Sequence, residues 1–143
     1  MTRPGLLLAA LLLLALPPQL AKGTFTGLPA GGDALKFLTE TVVQLDRGVL
    51  PVQGPPGAGK TYSGAAMIAT LVAKGKKVGI AATSHKVIRN LLDAICDTDG
   101  EAYKILKAAK VKVKLGHKCD DDDPPSKDGS LVTFGGTTGN ADA

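Results

Sequence analysis

The chain has 143 residues, a length that accommodates one domain with a modest core and excludes a large two-domain machine. Apolar residues make up 44% and charged residues 21%, so most of the chain is expected to fold, while 18 Gly and 9 Pro announce many loops. The net charge of +4 hides an asymmetry, because residues 1–71 carry +2, residues 72–118 carry +7 and residues 119–143 carry −5. The basic middle suits a polyanion. With no Trp, two Tyr and three Phe there are few platforms for stacking unpaired bases, so nucleic-acid contact is expected mainly at phosphates. Glu occurs only at Glu40 and Glu101, which leaves an enzyme that needs a Glu general base almost no candidates.

The chain begins with Arg3 and an uninterrupted apolar run from Leu6 to Leu16. Eleven residues fall short of the roughly twenty that span a bilayer. The run has the length of a signal-peptide core, yet Gln19 stands where an A-x-A cleavage site needs a small residue. Residues 1–22 are therefore read as a hydrophobic leader or a truncated upstream helix. The expected location is cytoplasmic with no membrane partner, the alternative being export or membrane targeting through residues 1–18.

Lys22 to Gly32 is Gly-rich and reads as a linker. Asp33 to Leu45 places Leu35, Leu38, Val42 and Leu45 at helical spacing behind an Asp33 N-cap, with Asp46-Arg47-Gly48 closing the helix. Val49 to Gln53 is a short apolar run between glycines and predicts a buried strand despite Pro51.

Next stand Gly54, Pro55, Pro56, Gly57, Ala58, Gly59, Lys60 and Thr61. They match the phosphate-loop pattern G-x-x-x-x-G-K-[ST] at every fixed position. Glycines let successive N–H groups converge on a β-phosphate, a position that side chains would obstruct. Lys60 would bridge the β- and γ-phosphates, and the Thr61 hydroxyl would ligate Mg²⁺. Thr61 to Lys74 carries Ala65, Ile68, Ala69 and Val72 on one face and ends at Gly75, predicting a helix whose positive end points at the phosphates.

Val78 to Ala82 predicts a second buried strand. Strand, loop, helix and strand together open a parallel α/β sheet with helices on both faces. Ser84 then caps a helix expected from Val87 to about Cys96, and a loop at this end of a strand lies on the ligand side of such a sheet. Ser84, His85, Lys86 and Arg89 are thus candidates for a second anionic ligand, against the plainer reading of a helix cap and an exposed loop histidine. His85, Cys96, His117 and Cys119 lack zinc-site spacing. Beyond them, Glu101 to Ala109 predicts a short helix, Lys110 to Leu115 an edge strand, Asp120 to Pro125 a solvated turn, and Leu131 to Phe134 a strand within a loose tail.

PVQGPPGAGKT followed about twenty residues later by IAATSHKVIRNLLDAI resembles motifs I and Ia of superfamily 1 DNA/RNA helicases. The similarity is to the nonsense-mediated-decay-type branch, and most to bacterial proteins that fuse such a helicase to a RecB-like nuclease. It spans about residues 33–97. The resemblance implies a P-loop NTPase fold, a partial RecA-like domain over residues 23–118 with an acidic, Gly/Thr-rich tail at 119–143. It implies that Gly54 to Thr61 bind ATP and Mg²⁺, that Lys60 and Thr61 are catalytic, and that Ser84, His85 and Lys86 touch single-stranded DNA or RNA, with DNA preferred. The missing remainder of a helicase/nuclease polypeptide would be the partner.

Several parts of such a motor are not in the sequence. No apolar run ends in Asp-Glu, as a Walker B strand would, and a second motor domain with its arginine fingers is missing. No upstream Gln stands where this group contacts adenine; Asp33 lies near that place. A stand-alone nucleotide-binding module or small kinase-like transferase is the alternative. An exported non-enzymatic protein is a third.

Overall fold

The computed structural model describes residues 17–119 and 131–135. The Leu6–Leu16 run, the acidic turn and most of the tail lie outside the described residues. Within them stand four helices, α1 (Ala34–Gln44), α2 (Lys60–Ala73), α3 (His85–Cys96) and α4 (Glu101–Ala108). Two short strands follow, β1 (Leu115–Cys119) and β2 (Leu131–Gly135), paired in parallel with Leu115 opposite Leu131. Among the described residues no helix is long and apolar enough to cross a membrane.

Local chemistry sets the helix ends. The Asp33 carboxylate accepts from the amides of Leu35 (3.0 Å) and Lys36 (3.2 Å), so the expected N-cap is made and α1 starts one residue later. Asp33→Ala should cost about 1 kcal/mol, read as a shift of the urea midpoint at unchanged slope. The other end of α1 is clamped by residues 19–21: Ala21 donates to the Gln44 carbonyl (2.7 Å) and Asp46 to that of Gln19 (2.8 Å). Gly48 is required by this clamp, because a Cβ there would stand 2.8 Å from the Gln19 amide.

Helix α2 ends as expected at Gly75, whose φ is +75°. Gly75 donates to Val72 and Lys76 to Leu71, the paired bonds of a Schellman motif. Helix α4 closes the same way, with Val111 donating to Leu106 and Lys110 to Lys107, but its left-handed position is occupied by Lys110 at φ +57°. Lys110→Gly is therefore expected to stabilise the fold by roughly 0.5–1 kcal/mol, raising the melting temperature by a few degrees.

The core lies where the helices meet. Ala65 and Ala69 of α2, Leu92 and Ile95 of α3, and Ala102 and Leu106 of α4 are buried together with Leu115, each pair at the three- or four-residue spacing that puts side chains on one helix face. α2 packs against the other three helices, and its buried alanines let the helix axes approach closely. The extended segments add Ile80, Val111 and Val113 to this cluster.

The expected parallel sheet flanked by helices is not formed by the described residues. Val49–Gln53 and Val78–Ala82 run without strand pairing, and no backbone partner is found for either among the described residues. Val49 and Val52 are 38% and 41% exposed, so the first segment is not the buried strand that its composition suggested. Pro51 contributes by removing a donor from its middle. The edge strand expected at Lys110–Leu115 is displaced: residues 111–114 alternate half-buried Val with exposed Lys but remain unpaired, and pairing begins at Leu115. Alternation creates a two-faced segment, but a ladder also needs a neighbour. The strand expected at Leu131–Phe134 is found as β2, one residue longer.

Candidate phosphate-binding loop

The loop between the extended segment and α2 is shaped by its prolines and glycines. Ala58 donates to the Pro55 carbonyl at 3.2 Å, closing a four-residue turn with Pro56 second and Gly57, at φ +81°, third. That placement of Pro and positive-φ Gly is the signature of a type II turn, which gives the doubled proline a structural role. Gly54 approaches Ala58 closely enough that a Cβ would meet it at 3.2 Å. Gly59 then opens α2 in the left-handed region with no side-chain cap.

This geometry presents donors outward. The first intrahelical bond runs from Ser63 to Gly59 (2.9 Å), so the amides of Lys60, Thr61 and Tyr62 belong to the unsatisfied first turn. They have no protein acceptor among the described residues, and neither does the amide of Gly59. The Lys60 ammonium reaches back across the loop and donates to the carbonyls of Gly54 and Pro55, both at 2.7 Å. Lys60 and Thr61 are exposed. Ammonium, free first-turn amides and the positive end of the α2 dipole thus belong to one loop-to-helix junction. Gly59→Ala should cost about 1 kcal/mol; with nothing near its Cβ the penalty is conformational, measurable by thermal melts.

In the second group of candidates, Ser84 makes the helix cap and His85 is exposed, as the plainer reading had it. Ser84 caps α3, its hydroxyl accepting from Val87 at 3.4 Å. The helix starts at His85, two residues earlier than expected. The His85 Nδ1 lies 3.2 Å from Nε2 of His117, with the rings tilted at 5.2 Å, so His85 faces a protein partner. Lys86 is exposed. Arg89 is half-buried, with Nη1 out of water and lacking a hydrogen-bond partner among the described residues.

Sequence reasoning named His117 but not its pairing with His85, and did not single out Tyr62. His117 is only 2% exposed, and no local signal could have paired it with a residue 32 positions away. Tyr62 is 47% exposed directly after Thr61, an aromatic face beside the phosphate loop.

No family model, curated protein or solved structure matches the chain.

The two glutamates also find their place. Glu40 and Glu101 line one groove of about 630 Å³ together with Asp33, Lys36, Thr70 and Lys74. Thr70 lies ten residues after Lys60, so at 1.5 Å per residue this groove begins about 15 Å along α2 from the loop. No residue of Gly54–Thr61 lines the groove that holds the two carboxylates. No trio of His, Cys, Asp or Glu suited to a metal is found among the described residues.

Proposed function

We propose that the chain binds the triphosphate of ATP, with Mg²⁺, at Gly54–Thr61. The supporting observation is the loop: left-handed Gly57 and Gly59, amides at the start of α2 with no acceptor among the described residues, and the Lys60 ammonium held by the Gly54 and Pro55 carbonyls. Lys60 would exchange its two carbonyl acceptors for phosphate oxygens, a charge-assisted bond of greater strength. Thr61, adjacent on the first turn, would contribute its hydroxyl to Mg²⁺ when the ion is bound. Tyr62 offers a flat surface on the same helical turn.

The resemblance places this site in a superfamily 1 helicase motor that couples ATP hydrolysis to movement on nucleic acid. Within that reading the chain is the nucleotide-binding part of a P-loop NTPase, completed by the remainder of the polypeptide. Lys86, exposed at the start of α3, is the best retained candidate for single-strand contact, since Ser84 and His85 already have protein partners.

The distance of Glu40 and Glu101 from the loop favours binding without efficient turnover. The chain alone should therefore bind a fluorescent ATP analogue with Mg²⁺ yet release phosphate at a rate barely above background in a coupled assay. Robust hydrolysis would mean that a carboxylate outside Glu40 and Glu101 serves the loop.

A further inference from the structure

A second groove of about 630 Å³ opens away from the phosphate loop, between the chain at 76–80 and the chain at 112–117. Its two walls are extended segments. Each shows the period of two expected for a strand: Val78 and Ile80 are half-buried around exposed Gly79, and Val111 and Val113 are half-buried between exposed lysines. Yet residues 77–82 and 112–114 make no backbone hydrogen bond to any described residue. Both walls therefore offer sheet edges whose N–H and C=O groups have no backbone partner among the described residues.

The floor and rim define what would fit. Half-buried Ile68 and Val72 of α2 and Ile88 of α3 line the groove, making its base apolar, while Lys76 and Lys77 stand on one wall and Lys112 and Lys114 on the other. All four lysines are exposed, and among the described residues no carboxylate lines the groove to neutralise them. A nucleic acid would use the lysines but neither the apolar floor nor the peptide edges. A peptide strand would use all three.

We infer that this groove is a strand-acceptor site for an extended acidic peptide segment, whose apolar side chains meet the base formed by Ile68, Val72 and Ile88 and whose alternate carboxylates meet the lysine rim. The inference is independent of the phosphate loop. It applies equally to a chain carrying Lys60→Ala, so failure of one reading leaves the other measurable.

The test uses the full chain and a fluorescein-labelled peptide of about ten residues alternating valine or isoleucine with aspartate. Saturable anisotropy is expected, with new protection from hydrogen exchange in residues 77–82 and 112–114. N-methylation of alternate peptide amides, which removes ladder donors, should weaken binding about tenfold or more, as should Lys112→Glu with Lys114→Glu. The lysines are exposed, so circular dichroism should report an unchanged fold for that variant. Lack of saturation at about 1 mM peptide, protection located elsewhere, or indifference to N-methylation would each overturn the inference. So would tighter binding of a single-stranded oligothymidine that protects the same segments, which would identify the groove as a nucleic-acid surface.

Discussion

Lys60→Ala is expected to weaken binding of a fluorescent ATP analogue with Mg²⁺ by about ten- to a hundredfold. The estimate follows from removing a charge-assisted hydrogen bond worth roughly 1.5–3 kcal/mol. In the free chain this ammonium already satisfies the carbonyls of Gly54 and Pro55, so it is positioned across the loop before any ligand arrives. The fold should tolerate the change, because Lys60 is exposed and exposed substitutions usually stay within about 0.5 kcal/mol. Equal titration curves for the two proteins, with matching circular dichroism, would sink the phosphate-loop reading. Lys60→Arg is a useful companion: a planar fork cannot occupy the compact position of an ammonium between two carbonyls, so weakening is expected there too despite the retained charge.

The largest effect on stability is expected from Ile95→Ala. Ile95 is the largest side chain that is fully buried, and it lies on the inner face of α3 with Leu92, against the α2 alanines and Leu106 of α4. Truncation removes its transfer free energy and leaves a void that small alanines on α2 cannot fill, for a total of about 2–5 kcal/mol. In a domain of this size that corresponds to a fall of roughly 10 °C or more in melting temperature, and it approaches the whole stability of a marginal fold. Val87→Ala serves as the control on the same helix. Val87 is exposed, and its loss should move the melting temperature by no more than a degree or two. Similar losses at both positions would show that α3 does not pack through its Leu92–Ile95 face.

Much of the helical scaffold was legible because each signal is local. Asp33 and Ser84 cap the helices they precede, and Gly75 adopts the left-handed stop expected of it. The turn of the Gly54–Thr61 loop depends likewise on the order of Pro55, Pro56, Gly57 and Gly59 and on nothing distant. The charge count also anticipated a basic surface, and four of the lysines in the middle segment line one groove.

The remaining features depend on contacts between segments far apart in the chain. Val49–Gln53 and Val78–Ala82 have strand composition, but sequence period cannot supply the neighbour that turns an extended segment into a ladder. His85 was read as a loop residue facing solvent or a nucleic acid; its meeting with His117 is a matter of how α3 and β1 pack. Glu40 and Glu101 looked unhelpful one by one, and only the packing of α1 and α4 on α2 sets both beside Thr70 and Lys74, remote from the loop.

By itself, then, the sequence determined the caps, the turn chemistry of Gly54–Thr61 and the helices that flank it, all of which arise from interactions among residues a few positions apart. Tertiary structure alone decided which extended segments stayed unpaired, which histidines met and where the carboxylates stood. Those outcomes are set by hydrogen bonds and packing between elements, whose partners no local pattern names.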